Sequence, residues 1–183
     1  MASSVRGKSH AAERHRVTVD FELAPRDVLN ARRTAPEAGV HLICASLELL
    51  GFSAQPTSRN TKGVDAVVLN PENGRTASLQ VKTKTQSKST SHGLWWKVDL
   101  GGLKPIADYF VFVHLPQDNA TASFCVDSAA DVKKNVVISR RALNARNLAK
   151  GKMARADKNY GWHRDRYRGT PNSWDAVVEY LGR

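Results

Sequence analysis

Hydrophobic residues along the chain recur with two different periods, and each period predicts one kind of secondary structure. In segment 17–23 apolar and polar residues alternate, which is the spacing of a half-buried strand. In segment 34–52, Ile43, Leu47 and Leu50 recur at helical spacing. This part of the chain therefore predicts a strand followed by a helix with one buried face.

Capping residues mark both ends of the predicted helix. Thr34 and Glu37 have the spacing of a capping box, and Pro36 falls in the first turn, where proline is tolerated. Gly51 is placed to close the C-terminal end. The helix is thus expected to begin near Thr34 and to end just before Gly51.

Two strands are predicted next, at about 64–69 and 76–85. The dipeptide Asn73-Gly74 between them is a strong reverse-turn signal, because both residues tolerate positive φ angles. We expect the two strands to pair as an antiparallel hairpin.

Three further strands are predicted after the hairpin. Segment 108–115 is almost continuously apolar, which indicates a strand buried on both faces. Segment 122–126 follows a polar turn and is expected to pair with it. Segment 94–100 predicts a short additional strand.

The C-terminal part of the chain predicts helices. Ser128 and Ser139 precede two helical segments as candidate N-caps, and Asn172 or Ser173 precedes a short closing helix. Segment 158–170 mixes aromatic residues with arginines and is predicted to be a loop.

Together these elements predict an α/β or α+β domain with a central mixed sheet of about five strands flanked by helices. Residues 1–16 are expected to form a disordered basic tail and residues 17–183 a single domain. Within that domain we expect the core at about 35–126 and a basic, helical part at 128–183.

Composition narrows the class of protein. Of 183 residues, 41% are hydrophobic and 25% are charged, which is typical of a globular domain. No apolar run approaches the length of a membrane span, and the N-terminus lacks the apolar segment of a secretory signal. Cys44 and Cys125 stand far apart among apolar neighbours and are expected to be buried free thiols of a cytoplasmic protein.

Positive charge is concentrated in one part of the chain. The formal net charge is +11, and segment 133–168 alone carries 12 Lys and Arg against two Asp. A field of this kind favours a polyanionic partner, and nucleic acid is the commonest polyanion. The simpler interpretation is a basic, solvated face with no partner.

The predicted hairpin carries polar residues that could form a site. Side chains alternate across a strand, so Gln80, Lys82 and Lys84 share one face of the second strand. Pairing around the predicted turn would bring Asp65 opposite the later part of that strand, close to Gln80 and Lys82. A rival interpretation makes Asp65 a turn residue and the other three the solvent face of an edge strand.

If these residues converged, they would form a site that could bind a metal ion. The Asp65 carboxylate, the Gln80 amide oxygen and the main-chain carbonyl of Val81 would supply three hard oxygen ligands, which suit Mg²⁺. Lys82 beside the ion could orient or help to deprotonate an attacking water and stabilise charge on the phosphorane. The residues therefore predict metal-dependent hydrolysis of phosphodiesters.

The segments GVDAVV and LQVKTKT together resemble the core of the PD-(D/E)XK nuclease superfamily, in a small bacterial branch with a D…QxK motif. The resemblance covers about residues 35–126 and implies a restriction-endonuclease-like αβββαβ core. It also implies that Asp65 and Gln80 bind Mg²⁺ or Mn²⁺, that Lys82 is catalytic, and that the substrate is DNA.

Two positions depart from the superfamily's pattern. Gln80 stands where Glu is commoner, which lowers the negative charge of the metal site. Many relatives also carry a Glu in the first helix, where this chain has Val40 and His41. Glu37 or Glu48 could replace it, and we assign Glu48 to the catalytic set.

The sequence therefore predicts a metal-dependent endonuclease, which could act as a homodimer, with a separate DNA-contacting surface. Its rivals are an inactive nucleic-acid-binding module of the same fold and a basic RNA- or ribosome-associated protein. Trp95 and Trp96 are expected in the core, whereas Tyr160 and Trp162 are expected to stack on bases. The residues expected to contact nucleic acid are all basic: Lys84, Arg140, Arg141, Arg146, Lys150, Lys152, Arg155, Arg164 and Arg166.

Overall fold

The structure is a computed structural model that describes residues 28–58, 63–85, 94–99, 106–116, 121–153, 159–164, 167 and 169–182. The predicted tail at 1–16 and the predicted strand at 17–23 lie outside these ranges. The helices and strands of the described ranges are α1 Val28–Glu48, β1 Ser53–Pro56, β2 Ala66–Leu69, β3 Thr76–Thr85, β4 Trp95–Asp99, β5 Tyr109–Leu115, β6 Ser123–Ser128, α2 Ala129–Ala149, β7 Asn159–His163 and α3 Asp175–Leu181.

Five strands form a central mixed sheet in the order β1-β2-β3-β5-β6. The first three strands are an antiparallel meander, β5 runs parallel to β3, and β6 runs antiparallel to β5. The mixed sheet of about five strands is therefore confirmed. Strands β4 and β7 form a separate antiparallel pair.

Hydrophobic layers cover the two faces of the sheet to different extents. On one face, α1 and α3 pack over strands β1–β3, β5 and β6. On the other, β4, β7 and α2 pack over Phe110, Phe112 and Cys125 of β5 and β6. As predicted, β5 is buried on both faces.

The layer formed by β4, β7 and α2, called the second layer below, leaves part of the sheet uncovered. Gln55, Val67 and Ser78 lie side by side in the register of β1, β2 and β3, and none of them is buried. The next residue of β3 on this face, Gln80, is also only half-buried. We call this face of β1–β3 the open half of the sheet; it ends at the wall that the second layer forms over β5.

The two ends of α1 differ in how well the sequence marks them. The helix begins at Val28, so the capping box of Thr34 and Glu37 is wrong, and Pro36 lies inside the helix. Segment 28–33 contains Leu, Ala and two Arg, good helix formers that extend α1 past the capping pattern. Gly51 closes the helix as predicted: its φ is 86°, and its N–H donates to the Glu48 carbonyl at 2.8 Å.

The predicted hairpin is confirmed. Strands β2 and β3 pair antiparallel, with Leu69 opposite Thr76, and Gly74 in the turn has a φ of 72°. Strand β1 was not predicted, because its four residues bury only Ala54.

The C-terminal predictions are partly wrong. Ser128 caps α2 by accepting the Asp131 N–H at 3.1 Å, as expected. Ser139 lies inside the same helix, since no Gly or Pro interrupts 129–149. Segment 158–170, predicted as a loop, contains β7, and the N-cap position of α3 is Trp174 rather than Asn172 or Ser173.

Both cysteines are free and buried, as predicted. Burial is the main cause that raises the pKa of each thiol to about 11. None of the helices in the described ranges is long and apolar enough to span a bilayer.

Gly39 marks the closest approach of α1 to the sheet, because a Cβ at this position would overlap the hydroxyl of Thr83. Gly39→Ala is expected to lower the free energy of unfolding by about 1–3 kcal/mol through overpacking, although Ala is the better helix former. Urea unfolding measures the change. Adding Thr83→Ala, which removes the overlapping hydroxyl, should restore part of the lost stability. A Gly39→Ala variant as stable as the wild type would contradict this close packing.

Candidate functional site

The end of the β2–β3 ladder brings three predicted site residues to one face of the sheet. Ala66 pairs with Leu79, so the preceding residue, Asp65, lies opposite Gln80. The Asp65 N–H donates to the Leu79 carbonyl at 2.8 Å, which extends the ladder by one bond beyond β2. Strand alternation places Gln80 and Lys82 on the face that forms the open half of the sheet, and Asp65 contacts β3 at Val81, between these two residues.

The carboxylate of Asp65 is fixed by the backbone of the neighbouring strand. Its Oδ2 atom accepts the N–H of Val81 at 2.7 Å, where a longer β2 would have supplied a carbonyl. A bond from a backbone N–H to a carboxylate is among the stronger hydrogen bonds in proteins. This half-buried side chain is therefore held in place at the edge of β3.

The carbonyl of Val81 points to the same side as Asp65. In a strand, the N–H and C=O groups of one residue point the same way, and the Val81 N–H points to Asp65. Strand β2 does not reach this carbonyl, because it begins at Ala66. A carboxylate, an amide and a main-chain carbonyl therefore come from neighbouring positions around Val81, where each could supply an oxygen ligand.

Lys82 lies at the boundary between the open half of the sheet and its wall. Its register partner on β5 is Phe112, which is fully buried, whereas Lys82 itself is only half-buried. No hydrogen bond or ion pair joins the side chain of Lys82 to another residue of the described ranges. Its ammonium group is therefore available to a phosphate lying on the open half.

Lys84 connects the same face to the second layer. Its Nζ atom donates to the backbone carbonyl of Trp95 at 3.1 Å and lies 4.9 Å from the centroid of the Trp95 ring. Burial lowers the pKa of Lys84. This residue, predicted to contact nucleic acid, therefore lies next to Lys82 on the site's face.

Glu48 is not brought to this face. It is exposed at the C-terminal end of α1, which packs on the opposite side of the sheet. Gly39, which lies over Thr83, is nine residues earlier, about 13.5 Å along the helix axis. Glu48 instead lies close enough to Cys44 to contribute to the raised pKa of that thiol.

The metal-ligating residues at the site are few. Among the described residues, no group of three or more His, Cys, Asp and Glu side chains could hold a metal ion. An ion bound beside Asp65 would therefore rely on one carboxylate together with neutral oxygens. Such a donor set fits a hard cation that keeps several waters, as Mg²⁺ and Mn²⁺ do.

Most of the described residues of the predicted nucleic-acid-binding surface lie on the second half of α2 and just after it. Only Val132 and Val136 are buried in this helix, so its last 13 residues contribute nothing to the core. Arg164 is half-buried, and its guanidinium donates to the Ser123 hydroxyl at 3.4 Å. Arg155 and Arg166 lie outside the described residues. The exposed basic residues on the second half of α2 and just after it are Arg140, Arg141, Arg146, Lys150 and Lys152.

A large groove of about 1230 Å³ lies elsewhere, between α2 and α3 beside β6. Sequence reasoning did not find it, because its residues come from four separate segments. Asp127 in this groove accepts a hydrogen bond from the Trp162 indole at 2.9 Å, and burial raises the pKa of its carboxyl group. The groove's acidic residues, which disfavour phosphate binding, are Asp127, Asp131, Asp175 and Glu179.

Two predictions about tryptophan are wrong. Trp162 was expected to stack on bases, but it is 1% exposed and stacks on Phe112 at 4.0 Å in the core. Trp95 was expected in the core with Trp96, but 41% of its surface is exposed. The side chain of Tyr160 lies outside the described part of the chain.

Comparison of the chain with protein-family models, curated proteins and solved structures yields no match. Functional inference for this protein therefore rests on the geometry around Asp65.

Proposed function

We propose that this protein is a metal-dependent nuclease that hydrolyses DNA phosphodiesters. The observation that carries the proposal is the hydrogen bond from the Val81 N–H to the Asp65 carboxylate. It fixes a carboxylate beside Gln80 and Lys82, where β3 extends past the start of β2 on the open half of the sheet. This arrangement agrees with the D…QxK motif of the PD-(D/E)XK superfamily.

The order of the elements supports the same proposal. Helix α1 precedes the β1–β2–β3 meander, and β5 lies parallel to β3, as in an αβββαβ core. One departure is that the connection between β3 and β5 contains strand β4 in its described part, rather than a helix.

Each site residue has a distinct chemical task in this proposal. Asp65, Gln80 and the Val81 carbonyl would hold Mg²⁺ or Mn²⁺, and an ion bound there would supply Lewis-acid polarisation of the phosphodiester. Lys82 hydrogen-bonds the attacking water or the phosphate and stabilises the negative charge that develops on the phosphorane. The half-buried position of Asp65 strengthens these electrostatic interactions, because less water screens them.

The DNA backbone is assigned to the basic residues on and just after the second half of α2. This surface and the acidic groove between α2 and α3 have opposite charge, so a polyanion approaching the domain is directed to the former.

One observation favours a second candidate function. With a single carboxylate at the site and no acidic cluster among the described residues, the same fold could bind nucleic acid without cutting it. Metal-free binding and metal-dependent cleavage must therefore be measured separately.

Cleavage of supercoiled plasmid in Mg²⁺, Mn²⁺ or EDTA separates the two functions. The nuclease proposal expects nicked or linear DNA with either metal and intact plasmid in EDTA. Intact plasmid under all three conditions, together with retained binding of duplex DNA, would assign the protein to the binding class.

A further inference from the structure

Trp95 is the one exposed tryptophan of the chain. Its surface is 41% exposed, whereas Trp96, Trp162 and Trp174 are 4%, 1% and 0% exposed. Trp95 and Trp96 are neighbours on β4, and strand alternation turns one to the core and the other away from it. The exposed ring is therefore a consequence of the register of β4 on the second layer.

Lys84 lies over one face of the Trp95 ring. The lysine Nζ atom donates to the Trp95 carbonyl at 3.1 Å and lies 4.9 Å from the ring centroid, within the range of a cation–π contact. A side chain held in this way loses little rotamer freedom when a ligand binds.

Lys84 links the ring to the proposed catalytic residues. Lys84 and Lys82 are two residues apart on the same face of β3, which is about 6.6 Å at the usual rise of a strand. Through its contact with Lys84, Trp95 borders the place where a phosphate beside Lys82 would lie. A nucleotide adjacent to that phosphate would reach the ring.

On the basis of the proposed nuclease function, we propose that Trp95 is a stacking platform for an unpaired base next to the phosphate held by Lys82, and that the preferred substrate is single-stranded DNA. In a duplex both faces of a base are covered by its neighbours, so a protein aromatic ring can stack only on a base that is already unstacked. Stacking of this kind changes affinity by about 5- to 150-fold per base. Lys84 supplies a cation beside the ring for the adjoining phosphate.

Intrinsic fluorescence tests the proposal directly, because the other three tryptophans are buried. The protein is titrated with a short oligothymidylate in EDTA, at fixed salt, and emission is recorded alongside the anisotropy of the labelled oligonucleotide. We expect quenching that follows binding, and weaker quenching with a duplex of equal length.

Two variants at this position complete the test. Trp95→Ala is expected to weaken single-strand binding about 5- to 150-fold and to leave duplex binding unchanged, whereas Trp95→Phe, which keeps a ring, should retain most of the affinity. Thermal unfolding checks that both variants are folded. Binding without quenching, or unchanged single-strand affinity of Trp95→Ala, would overturn the proposal.

Quenching that depends on protein concentration rather than on DNA would also overturn it, by placing Trp95 at a contact between two copies of the chain. Because every measurement is made without metal, the result is independent of cleavage. A protein that stacks bases on Trp95 but leaves both plasmid and single-stranded DNA intact in Mg²⁺ would refute the nuclease proposal and still support base stacking on Trp95.

Discussion

Replacing Lys82 by alanine is expected to lower the rate of metal-dependent DNA cleavage by a factor of about 10² to 10⁴, the range for a residue that transfers a proton or stabilises charge in the transition state. The fold should be unaffected, because Lys82 is only half-buried and its side chain has no hydrogen-bond partner among the described residues. The measurement is the initial rate of plasmid nicking in Mg²⁺, with circular dichroism and urea unfolding as checks on the fold.

A matched control is available on the second layer. Lys133 is an exposed lysine near the start of α2, so Lys133→Ala removes the same charge outside the proposed centre and should cleave like the wild type. Lys82→Arg separates the two tasks of the residue, because arginine keeps the charge but cannot exchange a proton near neutral pH. Equal rates for wild type and Lys82→Ala would show that the cleavage comes from another site or another enzyme.

Asp65→Asn complements these variants. An asparagine oxygen can still accept the Val81 N–H, so the end of the ladder should stay intact while the negative charge is removed. We expect this variant to lose cleavage with both metals. Normal activity with an unchanged metal requirement would separate Asp65 from metal binding.

Local sequence patterns were sufficient where neighbouring segments decide the structure. The turn at Asn73-Gly74 and the alternation in β3 were enough to place Asp65 opposite Gln80 and on the face of Lys82. The same patterns could not show that the Asp65 carboxylate accepts the Val81 N–H in place of a carbonyl group of β2. That feature depends on where β2 begins, and sequence predicted its start two residues too early.

Features that depend on distant segments were missed. Strand β7 pairs with β4, far away along the chain, and its mixture of aromatic residues and arginines resembles a loop more than a strand. Without that pairing, the sequence could not show which of Trp95 and Trp96 faces the core. The coverage of β5 and β6, but not β1–β3, by the second layer was hidden for the same reason.

The basic residues on and after the second half of α2 are expected to make DNA binding strongly salt-dependent. Each neutralised phosphate releases condensed counterions and contributes a slope of about −0.9 to log affinity against log salt. If about five of these residues contact the backbone, affinity should fall on the order of several hundred-fold between 50 and 200 mM salt. A salt titration of labelled duplex binding measures the slope.

Replacing Arg140, Arg141, Lys150 and Lys152 by alanine should flatten that slope and weaken binding to all sequences alike. Because this half of α2 buries no residue and alanine is the best helix former, the substitutions should not unfold the domain, and a loss of affinity can be assigned to charge. Asp65→Ala is the contrasting variant: it removes a negative charge that faces the phosphate, so it should retain binding or tighten it in the absence of metal. If the α2 variant binds duplex DNA with wild-type affinity and an unchanged slope, the helix is only a solvated surface. The phosphate contacts would then have to come from the lysines of β3, Lys82 and Lys84, and the DNA would cross the open half of the sheet without touching α2.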